Sequence, residues 1–262
     1  MQEKTFEKYK TRGADYHWKE INYLNPLAFN AYLHARYEII SKIISKIISE
    51  KSISNKGISI ADFGCGDGVQ LHLIKTLNKI SGNLDLYGID LSPDAIEAAK
   101  LRISGAHFTV ASTYETGFSE EYFDISVSSD VIEHVLDPEK MITEMIRSTK
   151  PGGHIIIATP IKYTENPLDS MHVQEFFPNE FSRLFENQND IKIIEHVLSH
   201  PLKNTLHYNQ TTHIFGKDIP ISKYITNMLF LLINFNPFRK RIAAGVNKHT
   251  LMTYQFVVLV KK

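Results

Sequence analysis

The hydrophobic pattern changes at residue 58, and this change limits the possible folds more than any other feature of the sequence. Before it, apolar side chains recur every three to four residues over 28–53, which predicts one face of a long helix. After it, short apolar runs alternate with stretches of helical spacing. Strands and helices that alternate at this length predict an α/β fold, in which helices cover both faces of a parallel sheet.

Seven apolar runs predict strands. They are ISIADF (58–63), LDLYGID (84–90), HFTV (107–110), 123–128, HIIIAT (154–159), IKIIEHVL (191–198) and TYQFVVLV (253–260). Helices are expected over 69–79, 93–102 and 178–187, and from about residue 139. Ser92 and Pro93 have the residue types of an N-cap and a first helical position. The KPGG segment at 150–153 predicts an abrupt end to the helix before it.

Composition excludes several classes of protein. The 29 Lys and Arg residues balance the 29 Asp and Glu residues, which argues against a protein that coats nucleic acid or an anionic membrane. The one cysteine, Cys65, excludes an intramolecular disulfide and a multi-cysteine metal site, and we expect a cytoplasmic protein. The N-terminal ten residues lack the apolar core of a signal peptide, and no apolar run reaches the length of about 18 residues that a membrane span needs.

A glycine-rich turn joins the first strand to the next helix. It has the spacing G-x-G-x-G at Gly64, Gly66 and Gly68, and Asp62 precedes it by two residues. Glycine permits a sharp turn and lets a ligand approach the backbone. Asp90 ends the second strand, where a carboxylate can accept both hydroxyls of a ribose. The alternatives are a tight turn without a ligand, and a capping role for Asp90 at the following helix.

These residues resemble class I S-adenosylmethionine-dependent methyltransferases. FDISVSSDVIEHVLDP (123–138) and EMIRSTKPGGHIIIATP (144–160) resemble later motifs of the same family, and the resemblance covers about 58–165. It implies a Rossmann-like sheet of seven strands in the order 3-2-1-4-5-7-6, with the seventh strand, 253–260, antiparallel. It also implies S-adenosyl-L-methionine as the cofactor. The spacing of the glycines disfavours the other candidate, a dinucleotide oxidoreductase.

The resemblance assigns cofactor-binding roles to nine residues. Asp62, Gly64 and Gly66 would line the methionine moiety, Asp90 the ribose, Leu91 the adenine and Ser129 the sulfonium; the remaining residues are Arg36, Ser112 and Thr113. Arg36 lies in LHARYEII (33–40), which resembles a segment of members acting on sugars or bacterial glycans, and it would pair with the cofactor carboxylate. Family members often carry Asp at position 112, so adenine recognition here would depend more on Thr113.

Two histidines are candidates for the base that removes a proton from the methyl acceptor. His134 follows the fourth strand. His172 lies in an H-V-x-E-F stretch that resembles sugar, glycan and ubiquinone-type O-methyltransferases, with Asp169 and Glu175 near enough in sequence to orient it. The alternatives are a packed histidine at a helix start and a histidine that anchors a loop. We expect no metal, because the fifth strand ends without an acid and Asp130 alone is a poor cation site.

The expected organisation is an N-terminal helical lid (1–57), a methyltransferase domain (58–199 and 251–262) and an insertion (200–250) that forms a substrate cap or a dimer element. The insertion is rich in polar and aromatic residues that suit a sugar: His200, His207, Tyr208, Asn209, His213 and Phe215. We expect its apolar stretch 225–235, which the basic run RKR (239–241) follows, to form a buried lid or a dimer helix. The alternative is a peripheral contact with a membrane.

The sequence therefore predicts a methyltransferase acting on a small molecule, without a nucleic-acid partner. We expect O-methylation of a sugar hydroxyl, on a nucleotide-activated sugar or a polysaccharide precursor. The alternatives are N-methylation of an amino sugar or small amine, and O-methylation of a quinone or lipid-linked acceptor. The acceptor assignment depends on the resemblance alone.

Overall fold

The apolar runs form the central sheet of the protein. We describe residues 8–50, 57–77, 83–167, 169–186, 188–238, 242–243 and 251–262 of a computed structural model. The strands are β1 (Ile58–Phe63), β2 (Leu84–Asp90), β3 (Ala106–Val110), β4 (Phe123–Ser129), β5 (Thr149–Pro160), β6 (Ile191–Pro201), β7 (Thr212–Ile214), β8 (Lys217–Ile219), β9 (Ile242–Ala243) and β10 (Met252–Lys261). The helices are α1 (Lys8–Arg12), α2 (Tyr16–Glu20), α3 (Ala31–Glu50), α4 (Val69–Leu77), α5 (Pro93–Arg102), α6 (Pro138–Ser148), α7 (Pro178–Glu186), α8 (Leu202–Asn209) and α9 (Ile221–Ile233).

The order of the main sheet is β3-β2-β1-β4-β5-β10-β6-β9. β1 to β5 pair in parallel, and β10 lies antiparallel between β5 and β6. This confirms the Rossmann-like α/β fold and the order expected for its seven strands. The short β9, which the sequence analysis does not predict, adds an edge strand by pairing with Val197 and Leu198.

The N-terminal segment has two roles in the fold. Its long helix α3 buries a row of isoleucines, including Ile40 and Ile44, in the cluster that covers one face of the sheet. Burial of such side chains contributes about 1.5–3 kcal/mol each. Helix α3 thus belongs to the core, while Tyr9 of α1 and His17 of α2 contact the glycine-rich turn, and a lid role for the N-terminal segment stays a prediction.

β5 begins earlier than its apolar pattern predicts. The preceding helix α6 ends at Ser148, just before the KPGG segment, as the sequence predicts, but the segment itself already belongs to the strand. The pairing with β4 shifts between Phe123 and Ile125, so the extra residues of β5 form a bulge. Gly152 has a φ of +69°, a conformation that glycine adopts without strain.

The insertion packs against the start of α3 in a separate apolar cluster. The cluster contains Phe29, Ala31, Ala35, Tyr208, Phe230 and Phe238. The predicted basic run 239–241 lies outside the described residues, as do the last residues of the helices predicted over 28–53, 69–79 and 178–187. Among the described residues, every helix is too short or too polar to cross a bilayer.

Candidate active site

The glycine-rich turn between β1 and α4 leaves no room for side chains at its glycines. Gly64, Gly66 and Gly68 have φ values of +78°, +53° and +82°. A Cβ atom on Gly64 would overlap the Val131 side chain, and one on Gly68 would lie 2.7 Å from Ile103 Cδ1. The turn therefore needs glycine for both its backbone conformation and its packing.

Two carboxylates flank the turn. Asp62 is 2% exposed, and its Oδ2 atom has no hydrogen-bond partner. Burial, with a smaller contribution from the charge of Asp90, raises the pKa of Asp62 to about 8. Asp90 accepts hydrogen bonds from the backbone N–H groups of Gly66, at 2.9 Å, and Ser92, at 2.8 Å. Asp62 thus offers an unsatisfied acceptor to a cationic group, and Asp90 is held at the end of β2.

The first two helices close over the turn. Asp67 of the turn accepts hydrogen bonds from the backbone N–H of His17, at 3.1 Å, and through its carbonyl from Trp18 Nε1, at 2.8 Å. The Tyr9 hydroxyl lies so close to Gly66 that a Cβ atom there would overlap it. No sequence pattern assigns a role to Tyr9, His17 or Trp18, because short polar helices give little periodic signal.

Arg36 has a charged partner within the protein. Its Nη1 atom lies 2.5 Å from Asp130 Oδ1, which also accepts a hydrogen bond of 2.9 Å from the Tyr254 hydroxyl. The guanidinium lies over the rings of Tyr32 and Tyr254, at 5.2 and 4.9 Å from their centroids. Ser129 joins the group through its hydroxyl, 3.3 Å from Asp130 Oδ2. Arg36 and Ser129 therefore meet at the end of β4, and a contact of Arg36 with the cofactor carboxylate stays a prediction.

The residues expected at the adenine lie at the same edge of the sheet. Leu91 is half exposed and follows Asp90 directly. The Ser112 hydroxyl accepts a hydrogen bond of 3.2 Å from the backbone N–H of Tyr114, and Thr113 is buried. Ser112 therefore stabilises its own turn, while its hydroxyl hydrogen can still be donated to a ligand.

A fully buried acid lies behind the two candidate histidines. Glu133 Oε2 accepts a hydrogen bond of 2.9 Å from Thr159, whereas Oε1 has no hydrogen-bond partner. Burial and the nearby charge of Asp130 raise the pKa of Glu133 to about 8. One ligand atom from each of Glu133, His134 and His172 falls within 4.8 Å of the others, so these residues could hold a metal ion.

The two histidine rings contact each other edge to face, with their centroids 4.9 Å apart. His134 Nδ1 lies 3.0 Å from the Met171 carbonyl oxygen, so this nitrogen carries the proton and donates it. His172 Nδ1 lies 2.6 Å from Glu175 Oε1, while its Nε2 is 3.8 Å from Asp169 Oδ2. Both acids that the sequence places near His172 thus face it, and Glu175 makes the close contact.

His172 lines an open cleft of about 690 Å³ at the carboxyl edge of the sheet. Tyr32 and Thr253 line it from the core, and α8 and α9 form the opposite wall. The lining residues are Asn30, Tyr32, Pro160, Ile161, Tyr163, Asp169, His172, Glu175, Leu202, Thr205, Leu206, Tyr208, Asn209, Lys223 and Thr253. His172 thus lines the cleft together with Asp169 and Glu175, whereas Asp62 and Asp90, which flank the glycine-rich turn, lie outside its lining.

The insertion supplies part of this wall. Fewer of its polar residues line the cleft than the sequence suggests. Tyr208 and Asn209 line the cleft. His200 is fully buried, and burial lowers its pKa to about 3, so it is a neutral core residue. His213 and Phe215 lie in the exposed β7–β8 hairpin.

Comparison with known proteins identifies the family of this chain. The methyltransferase domain family matches residues 54–215, well over half of the chain. The ubiquinone biosynthesis O-methyltransferase of Hydrogenovibrio crunogenus is 35% identical over 42% of this chain and 44% of its own length. The ubiquinone biosynthesis O-methyltransferase of Vibrio parahaemolyticus is 28% identical over 60% of both chains. The match thus spans about half the length of these curated relatives.

A solved structure shows the same fold. Phosphoethanolamine N-methyltransferase 2 of Haemonchus contortus, in complex with S-adenosyl-L-methionine, superposes with a TM-score of 0.56 at 15% identity, over 97% of this chain and 59% of its own. The family match covers the paired strands β1 and β2 and the glycine-rich turn between β1 and α4. The chain therefore belongs to the methyltransferase domain family.

Proposed function

We propose that this chain is an S-adenosyl-L-methionine-dependent methyltransferase, that it acts on a hydroxyl group of an aromatic ring and that His172 removes the hydroxyl proton. The observation that carries the proposal is the 2.6 Å contact between His172 Nδ1 and Glu175 Oε1 in the wall of the cleft. A carboxylate at Nδ1 fixes the proton on that nitrogen and leaves Nε2 to accept another. It also stabilises the imidazolium ion that forms.

The protein itself has to orient the acceptor and remove its proton. S-adenosyl-L-methionine supplies an already activated methyl group when it is bound. The chain must place the acceptor oxygen in line with that group, and orientation of this kind can contribute about 7–11 kcal/mol. Removal of the acceptor proton by a placed base typically adds a factor of about 10²–10⁴ in rate.

The cleft favours a ring with apolar surroundings over a free sugar. Three tyrosines, Tyr32, Tyr163 and Tyr208, line it together with apolar residues such as Leu202 and Leu206. A phenolic hydroxyl has a pKa of about 10, as in tyrosine, so imidazole can deprotonate it more readily than an aliphatic sugar hydroxyl. The two relatives named for ubiquinone biosynthesis O-methylation support the same class of acceptor. We therefore favour the quinone-type alternative over the sugar acceptor expected from the sequence.

A second candidate is hydroxyl methylation assisted by a divalent cation. The buried Glu133 Oε1 atom has no hydrogen-bond partner, and the carboxylate lies with His134 and His172 in a set of three ligand atoms within 4.8 Å. A cation there would leave positions open for the acceptor oxygens. His172 would then be a ligand and not the base.

The test is transfer of a labelled methyl group from S-adenosyl-L-methionine to a panel of acceptors. The panel contains a catechol that carries a short isoprenoid chain, a nucleotide sugar, an amino sugar and phosphoethanolamine. We expect label on the catechol oxygen. Label on the nucleotide sugar with none on the catechol would contradict the proposal and restore the sugar acceptor.

A further inference from the structure

Helix α9 buries two polar side chains beside the apolar Phe230 and exposes most of its other apolar residues. Its inner face carries the polar side chains Thr226 and Asn227, and Asn227 is 0% exposed. The Asn227 amide donates hydrogen bonds to the carbonyl oxygens of Phe29, at 2.6 Å, and Pro26, at 3.0 Å. Its Oδ1 atom accepts one of 3.1 Å from the Tyr208 hydroxyl. These bonds fix which side of α9 faces the protein.

The opposite side of α9 exposes an apolar face. Leu232 is 72% exposed and Ile233 is 68% exposed. The exposed apolar residues recur every three to four positions, so they share one side of the helix: Ile225, Met228, Leu229, Leu232 and Ile233. A contiguous exposed apolar face of this kind marks an interaction surface.

The charges of α9 and of the sequence that follows it indicate an anionic partner. Lys223 is the one charged residue of α9. From residue 219 to residue 262 the sequence contains no Asp or Glu, and the basic run RKR (239–241) begins six positions after the last residue of α9. A second copy of the chain would bring two such basic stretches together, whereas an anionic lipid surface complements them.

We propose that the apolar face of α9 inserts into the surface of an anionic lipid bilayer, with the helix axis parallel to the membrane plane. The 13 residues of α9 extend about 20 Å, which is shorter than a hydrocarbon core of about 30 Å. A short helix with one apolar face and basic neighbours is typical of such an arrangement. The proposal goes beyond the proposed function and does not depend on it.

This arrangement also places the active site at the membrane. Lys223 of α9 lines the cleft that contains His172. A docked α9 would bring the cleft within about one helix diameter, roughly 10 Å, of the lipid surface. An acceptor held in the bilayer by an apolar chain would then reach the cleft with little displacement.

The experiment is flotation of the full chain with vesicles, in the absence of methyl donor and acceptor. One set of vesicles contains equal parts phosphatidylglycerol and phosphatidylcholine, and the other contains phosphatidylcholine alone. The test variant is Leu232→Asp/Ile233→Asp, and the matched control is Leu101→Asp, an 87% exposed leucine on α5. We expect binding to the anionic vesicles, a loss of at least about tenfold in the test variant and no loss in the control.

Several results would overturn the proposal. They are failure of the wild-type chain to float with anionic vesicles, equal binding to phosphatidylcholine alone, and equal losses in the test and control variants. Light scattering gives another outcome. If the wild-type chain is a dimer, the test variant is a monomer and the wild-type chain does not bind vesicles, the apolar face of α9 contacts a second copy of the chain. If the double variant fails to fold, Ile225→Ser replaces it. Because no acceptor is present, these outcomes are independent of the methylation test.

Discussion

Arg36 Nη1 and Asp130 Oδ1 lie 2.5 Å apart and form an ion pair that joins α3 to the end of β4. The two side chains are 14% and 20% exposed, so the pair is largely removed from water. Asp130 adopts a φ of +58°, and the Tyr254 hydroxyl also donates to its Oδ1 atom. The pair therefore links the core helix of the N-terminal segment to the edge of the sheet where ligands bind in this fold.

The first prediction concerns the stability that this pair provides. Arg36→Gln and Asp130→Asn should each lower the free energy of unfolding by about 3 kcal/mol, because each leaves one buried charge without its partner. The free energy of unfolding of the double variant should fall by at least about 1 kcal/mol less than the sum of the losses in the two single variants. Urea unfolding of all four proteins measures this, and strictly additive losses would mean that the two charges do not interact.

The second prediction concerns the pH dependence of cofactor binding. The pKa of Asp62 is about 8 in the folded protein, against about 3.9 in an unfolded chain. The folded state therefore keeps a proton that the unfolded state loses, and Asp62 contributes stability below about pH 4 that is lost as the pH rises to about 8. The ammonium group of S-adenosylhomocysteine favours the ionised carboxylate. Its affinity should therefore rise between about pH 6 and pH 8, by at most about tenfold per pH unit.

Calorimetric titration with S-adenosylhomocysteine measures this rise. Asp62→Asn should bind more weakly and lose most of the pH dependence. Glu133→Gln is the matched control, because Glu133 is also buried with a pKa of about 8 but is proposed to act on the acceptor side. If the pH dependence of the affinity remained in Asp62→Asn and disappeared in Glu133→Gln, Glu133 and not Asp62 would be the group that titrates with cofactor binding.

Most of the sheet could be predicted because its central strands are buried on both faces. Every residue of β1 is buried, so its apolar run stands out from its surroundings, and the Ser92 cap accepts the expected hydrogen bond from Ala95. The two-residue β9 has no such pattern. The bulge at the start of β5 depends on pairing with β4, which a local glycine signal cannot show.

The candidate site could be predicted in its parts but not in its contacts. The acids near the glycine-rich turn and the two histidines lie in sequence motifs that identify them as candidates. Sequence spacing does not show that Arg36 meets Asp130, because the two residues are 94 positions apart. The meeting of Glu133 with His134 and His172 likewise depends on the loop that follows β5. The polar composition of the insertion is misleading, since one of its histidines is a core residue.

The third prediction concerns metal dependence. If His172 acts as the base, methyl transfer to the catechol acceptor should keep its full rate in excess EDTA. The sequence predicts no metal site, and this stays a prediction. Loss of activity in EDTA that Mg²⁺ or Zn²⁺ restores in the wild-type chain, but not in Glu133→Gln, would assign the cation to Glu133, His134 and His172.

The central claim is that His172, oriented by Glu175, removes the acceptor proton. The most direct test is the rate of labelled methyl transfer to the catechol by His172→Ala and Glu175→Gln, with S-adenosylhomocysteine affinity measured in parallel. We predict that His172→Ala lowers kcat by about 10²–10⁴-fold and leaves this affinity unchanged. Glu175→Gln should retain part of the rate, because glutamine can still accept the hydrogen bond from His172 Nδ1. An unchanged kcat in His172→Ala would contradict the account.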